Sequence, residues 1–245
     1  MSINRRAAVW PGGWIVKSFM KKIFAAFILA LSFNWLTLAA PTEISPSARE
    51  SIEWCDIWIS HANETNLPRV LLIGDSITRD YYKGVEKLLD GKAYVARLAT
   101  SRFASDPVLL QEIALVLDNT KFDVIHFNNG MHGWQHSEAE YQSAFPDLLK
   151  TIRAHAPQAK LVFATTTSLK ESKPADILAA SDERIAKRNR IALDCLHGQE
   201  VVVDDLNTLV RGHPEYHSDN VHFNSQGQQI EAAQVAACIS PLLKR

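Results

Sequence analysis

The amino-acid sequence predicts a three-layer α/β/α domain, in which a parallel sheet of about five strands is covered by helices on both faces. Three observations predict it. Five short runs rich in Val, Ile, Leu and Phe recur along the chain, helical periodicity fills the intervals between them, and polar residues follow four of the runs directly. The first run, residues 69–74, is apolar at every inner position, the pattern of a strand buried on both faces. A helical pattern over 81–89 follows it. The second run, 93–98, leads to a helix over 107–117 that opens with Pro107, and the third, 122–128, leads to one over 138–155. The fourth run, 159–166, precedes a helix over 182–197, and the fifth, 200–204, precedes the closing helix over 225–243. Residues 170–180 lack a strong period and read as a loop near the mouth of a site, and 41–50 reads as a linker.

With 245 residues, 47% of them hydrophobic, the chain can build one sizeable core. Its 26 basic and 27 acidic residues leave a formal net charge of −1, which excludes a nucleic-acid footprint and suits a small or neutral substrate. The expected organisation is an N-terminal extension and signal peptide over 1–40, a mature N-terminal segment over 41–67 and a catalytic domain over 68–245. Met20, Lys21 and Lys22 precede an apolar run over 23–38 and then Pro41, with Thr37 and Ala39 at the small-residue positions before a cut. That run contains Asn34 and falls short of the roughly 20 residues a bilayer needs. A cleaved signal, a periplasmic or secreted protein and no stable membrane insertion are therefore expected. Residues 1–19, with Arg5, Arg6 and Lys17, are either a long leading region or the product of an upstream start ahead of Met20. Cys55, Cys195 and Cys238 imply no disulfide framework; Cys195 with Cys238 is open to one bridge between the last two helices, and equally to buried free thiols.

In a parallel sheet ligands bind beyond the carboxyl ends of the strands. Residues Val70-Leu71-Leu72-Ile73-Gly74-Asp75-Ser76 take a buried strand straight into a glycine, an acid and a serine ahead of a helix. A hydroxyl presented at a helix N-terminus sits where backbone N–H groups favour developing negative charge. Near the other end, Asp219-Asn220-Val221-His222-Phe223 precedes the last helix. A histidine can take a serine proton while an acid three residues earlier orients its ring. Taken singly, the first block reads as a capped helix and the second as a solvated loop. Together they fall at one edge of one sheet, in the chain order serine, acid, histidine.

In these two blocks the chain resembles the SGNH (GDSL-like) hydrolase family, over roughly residues 68–243. The resemblance implies a flavodoxin-like sheet, an SGNH hydrolase fold, with Ser76 as nucleophile, His222 as general base and acid, Asp219 as the orienting acid, and neither cofactor nor metal. Arg188, Asn189 and Ala192 look like the family's helix that packs near the site. Two departures concern the oxyanion hole. Where the family places a glycine after the second strand, this chain reads Ala99-Thr100-Ser101-Arg102-Phe103-Ala104, and where it places G-x-N-D, this chain reads Gly130-Met131-His132-Gly133. The expected donors are the Ser76 amide with Ser101, Asn129 and His132, and the expected substrate contacts are Asp75, Arg102 and Asn128. Arg102 fits a structural salt bridge equally well. Trp54, Trp58 and Trp134 are candidates for sugar stacking, although Trp54 and Trp58, four apart, read first as one packed face of a helix.

The pairs His132 with His136 and His213 with His217 have metal-ligand spacing on a helix, but Gly130, Gly133 and Pro214 disfavour regular helix at both places. The expected function is a serine esterase acting by two-step acyl transfer on a small-molecule or carbohydrate ester, with a short-acyl or acetyl carbohydrate ester first and lysophospholipid or small-lipid esters second. A binding protein that keeps this fold without its chemistry is the alternative from another class. The intact Ser76, Asp219 and His222 argue against it.

Overall fold

The computed structural model describes residues 49–170 and 177–243. The expected signal peptide and most of the expected 41–50 linker lie outside the described residues. The strands are β1 (Cys55–Ile59), β2 (Arg69–Gly74), β3 (Tyr94–Thr100), β4 (Val124–Phe127), β5 (Lys160–Ala164) and β6 (Val201–Asp204). They form one sheet in the order β1-β3-β2-β4-β5-β6. β2 to β6 are parallel, and their order is second, first, third, fourth and fifth along the chain, the doubly wound pattern expected.

The helices are α1 (Ser76–Leu88), α2 (Pro107–Asn119), α3 (Glu138–His155), α4 (Ile177–Leu196), α5 (Leu206–Val210) and α6 (Ser225–Ile239). Strand side chains alternate between the two faces. Val70 and Leu72 pack into a cluster with Tyr81, Val85, Ala232 and Val235 of α1 and α6, and Leu71 and Ile73 join Ile113, Phe145 and Ala192 of α2, α3 and α4 on the opposite face. Val70, Leu71, Leu72 and Ile73 are all within 2% of complete burial, a gross stabilisation of about 6 kcal/mol or more before entropy is counted. β2 is thus a stiff base for whatever follows Gly74.

The structure corrects the helical reading of Trp54 and Trp58 and the starts of two helices, and it decides between the two readings left open for Cys195 and Cys238. The sheet has six strands, because residues 55–59 form an antiparallel edge strand, with Cys55 opposite Thr100 and Ile59 opposite Ala96. Trp54 and Trp58 therefore flank and occupy a strand instead of sharing a helix face. The competing force is the open edge of β3, whose backbone groups would otherwise be unpaired. α1 begins at Ser76 and not at residue 81, and α4 reaches back to Ile177 inside the expected loop, of which 171–176 lie outside the described residues. Cys195 packs with the α2–α3 cluster and Cys238 with the α1–α6 cluster, on opposite faces of the sheet, so the two remain free thiols and cannot bridge.

Candidate active site

The turn from β2 into α1 is set by three adjacent residues. A Cβ on Gly74 would fall 2.1 Å from Thr78 Oγ1, so only glycine lets the helix start this close to the strand. Asp75 caps α1, its Oδ1 accepting from the Ile77 amide at 2.9 Å. Ser76 is then the first residue of the helix and is half-buried. Asp75 is itself buried, so this expected substrate contact acts as a helix cap.

The loop carrying the second block is braced from several sides. His217 and Phe223 form an antiparallel bridge, Ser218 N donates to His222 O at 2.9 Å, and Lys170 N donates to Asn220 O at 3.0 Å. Within the loop Asp219 Oδ1 accepts from the amides of Val221 and His222, each at 2.7 Å, while Oδ2 lies 2.9 Å from His222 Nδ1. A carboxylate only accepts, so His222 Nδ1 carries hydrogen and Nε2 faces Ser76 as an acceptor. Nε2 lies 2.9 Å from Ser76 Oγ. The His222 amide, then burial in opposition, then the Val221 amide bring the Asp219 carboxyl down to about 2. Asp219 is thus an anion at any ordinary pH. Such an array can draw a proton from a serine hydroxyl and hold the resulting imidazolium.

The structure brings Ser76, Asp219 and His222 together but sends most of the other expected residues to different partners. Ser101 N donates to Trp54 O at 3.1 Å and Ser101 Oγ donates to Glu53 at 2.7 Å, so Ser101 extends the β1–β3 pairing and has no amide left for an oxyanion. Asn128 Nδ2 is divided between Ala164 O at 2.7 Å and Thr166 Oγ1 at 3.0 Å, tying β4 to β5. Asn129 Nδ2 donates to Arg102 O at 2.9 Å. The Arg102 guanidinium is enclosed by Asp106 at 3.0 Å and by Glu53 and Glu112 at 3.5 Å, a structural network and not a free substrate contact.

His132 has a different setting. Its Nδ1 lies 3.0 Å from Glu50 Oε2, and the other oxygen of Glu50 accepts from the Gly133 amide at 2.9 Å. Gly133 has φ +75° and sits against Phe103, where a Cβ would come within 2.4 Å of the ring. The loop that carries both is held from beneath by Arg188 of α4, fully buried, which donates to the carbonyls of Gly130 at 2.9 Å, His132 at 2.7 Å and Gly133 at 2.9 Å. Asn189 fixes the end of β5 in the same way, bonding both N and O of Thr166 at 2.8 Å. Trp54 meets the His132 ring edge-on with centroids 6.2 Å apart, and its other neighbour is the Arg79 guanidinium at 4.8 Å. Trp58 is half exposed on β1 beside Lys83 and Arg97, and Trp134 contacts Arg184 and Arg188. His136 pairs with Glu140 at 3.1 Å and His213 with Glu215 at 2.9 Å; among the described residues no group of three or more His, Cys, Asp or Glu is placed to hold a metal ion.

Two residues here escaped sequence reasoning. Glu50 lies 82 positions from its partner, beyond any local pattern. Asp80, one turn along α1 from Ser76, is half-buried; burial raises its carboxyl, with the charges of His222 and Arg79 in partial opposition. Four-residue spacing from Ser76 on a helix was its available signal.

Among solved structures, a carbohydrate esterase of family 3 from Talaromyces cellulolyticus is 19% identical, covering 72% of this chain and 98% of its own with TM-score 0.58. A GDSL-like lipase from Bacteroides thetaiotaomicron is 15% identical, covering 71% and 89% with TM-score 0.57. An acetyl xylan esterase is 16% identical, covering 70% and 99% with TM-score 0.56. At these identities the likeness is one of fold. No curated protein sequence matches the chain. The sequence model of the GDSL-like lipase/acylhydrolase family matches residues 72–230. That match runs from within β2 into α6 and spans both blocks of the site, so the chain belongs to the GDSL-like lipase/acylhydrolase family.

Proposed function

We propose that this protein is a serine esterase hydrolysing carboxylic esters by two-step acyl transfer, with short-acyl, foremost acetyl, esters of carbohydrates as substrates. The observation that carries the reading is the unbroken relay from Ser76 Oγ through His222 to Asp219, with both contacts at 2.9 Å. Ser76 attacks the ester carbonyl as His222 Nε2 takes its proton, and Asp219 stabilises the imidazolium through Nδ1. The tetrahedral oxyanion is met by the Ser76 amide at the start of α1 and by His132. Collapse of the intermediate returns the proton from His222 to the departing alcohol. Water activated by the same ring then releases the acid.

The choice of substrate rests on the surroundings of Ser76. His222 touches Ser76 and Asp80 lies one turn along α1 from it; with Trp54, set between Arg79 and His132, they suit a hydroxylated alcohol better than a long acyl chain, and carbohydrate and acetyl xylan esterases are among the proteins of like fold. The basic and apolar segment over 20–40 supports export to the periplasm or beyond.

A panel of p-nitrophenyl esters of rising chain length, run beside acetylated xylan and a lysophospholipid, tests the reading. The expected order is acetate over butyrate over octanoate, with release of acetate from the glycan and labelling of Ser76 by a fluorophosphonate. Preference for octanoate or lysophospholipid overturns the substrate class. Absence of labelling and turnover overturns the esterase reading in favour of a binding protein.

A further inference from the structure

We propose that Glu50 is a positioning residue for the esterase reaction proposed above: by occupying His132 Nδ1 it obliges that ring to meet the oxyanion as an imidazolium, donating from Nε2. The inference begins with elimination. The side-chain amides of Asn128 and Asn129 and the backbone amide of Ser101 already donate to Ala164 and Thr166, to Arg102, and to Trp54. Among the expected donors, the Ser76 amide, the second hydrogen of Asn129 Nδ2 and the second nitrogen of His132 remain, and of these three it is His132 that an acid clamps.

The chemistry of the clamp decides the form of the ring. Glu50 accepts at both oxygens, from His132 Nδ1 at 3.0 Å and from the Gly133 amide at 2.9 Å. Because a carboxylate cannot donate, Nδ1 must carry hydrogen. A neutral ring then has its lone pair on Nε2, and a lone pair repels an oxyanion. Only the doubly protonated ring offers N–H there. A neutral His132 would work against catalysis, and a charged one would supply both a donor and a positive charge.

The surroundings favour the charged form. Burial opposes it, but the Glu50 hydrogen bond and the charges of Asp75, Glu50 and Glu53 outweigh burial and leave the ring above the ordinary histidine value. Glu50 and Glu53 reach the ring from the segment before β1, and Asp75 from the turn into α1. Burial likewise opposes the Glu50 carboxylate, but the bonds from His132 and Gly133 leave it below its ordinary value. The nearby cations are engaged elsewhere: Arg79 lies on Trp54, Arg102 faces Glu53, and Arg188 bonds the His132 carbonyl. Glu50 and His132 are also mostly shielded, with 25% and 20% of their side chains exposed, so solvent screens the pair only in part.

The test is the pH profile of kcat on p-nitrophenyl acetate, joined to nitrogen NMR of the His132 ring in the same intact protein. Wild type is expected to give a bell, rising as His222 loses its proton and falling at higher pH as His132 loses its second one. Glu50→Gln should carry the falling limb at least about one pH unit toward acid and should lower kcat at mildly alkaline pH about tenfold or more. His132→Gln, a neutral donor, should lose most of kcat and have no falling limb, and His132→Ala should lose about 10²- to 10³-fold. NMR should show the ring keeping its second proton to higher pH in wild type than in Glu50→Gln. A falling limb that stays in place in Glu50→Gln, or a ring neutral at Nε2 where wild type is fully active, overturns the proposal. Failure of the esterase reading looks different, since wild type would then show no Ser76-dependent turnover. A charged ring in that case overturns the oxyanion role alone and leaves the Glu50 coupling standing.

Discussion

Ser76 Oγ and His222 Nε2 lie 2.9 Å apart although 146 residues separate them in the chain. They act as a unit, so Ser76→Ala and His222→Ala are each expected to lower kcat by about 10⁴-fold or more, and the double variant no further. Asp219→Ala should cost about one to two orders less, since the ring keeps its place without its orienting charge. Steady-state kinetics on p-nitrophenyl acetate decide it, and more than about a hundredth of wild-type kcat in Ser76→Ala sinks the serine mechanism.

Asp219 bears on the acid limb of the rate profile. Its carboxyl, brought to about 2 first by the His222 amide, stays ionised while His222 gains its proton. A carboxyl lowered in the fold contributes stability above its unfolded value of 3.8 that is lost only as pH falls toward about 2. The logarithm of kcat/KM should therefore rise with a slope of about one from roughly pH 4 upward, with circular dichroism showing an intact fold throughout. A slope of two in that range would place a second ionisation in the site.

Arg188 is expected to be a strong determinant of stability. It is fully buried and its guanidinium donates to three carbonyls of one loop. Arg188→Ala leaves those acceptors unpaired, at about 3 kcal/mol or more in total. Urea unfolding should show that loss, and activity should fall with it because the loop also carries His132. A midpoint unchanged from wild type would mean that the loop is held by other contacts.

Glu231 gives a stability prediction with the opposite sign. It is fully buried on α6, neither carboxyl oxygen has a hydrogen-bond partner among the described residues, and burial, with the charges of Asp75 and Asp80, pushes it well above 4.5. The folded chain thus holds this proton more tightly than the unfolded chain. Its contribution is full below 4.5 and is lost as pH rises above it, by about 1.4 kcal/mol per pH unit. Glu231→Gln should remove that slope and be the more stable form at pH 7. Parallel unfolding curves for the two proteins from about pH 5 to 7 would refute it.

The parallel strands were legible because burial on both faces makes them continuous apolar runs: 69–74 can be read from composition alone. β1 was not, because an edge strand is covered from one side and Trp54 and Trp58 happen to repeat every four residues as a helix would. The first turn of α1 was missed for a related reason, since Ser76 to Asp80 is mostly polar and its helical state depends on the Asp75 cap and the bulk of β2 behind it. In the site, the two blocks could be paired because topology puts the end of β2 and the start of α6 at one edge. The partners of Arg102, Asn128 and Ser101 could not be read, because each is settled by a hydrogen bond to a residue 36 to 48 positions away or by a local contest among several acids.

β1 has a consequence for where this protein can be cut. A chain begun at residue 68, where the apolar runs start, would lay bare the outer edge of β3 as a ladder of unpaired N–H and C=O groups open to other chains. The same cut would remove Glu50 and Trp54. Cover for the β3 edge and the proposed clamp on His132 thus share a single stretch of about ten residues. A solubilising fusion could keep such a truncated protein in solution, but it would still lack the carboxylate that His132 meets.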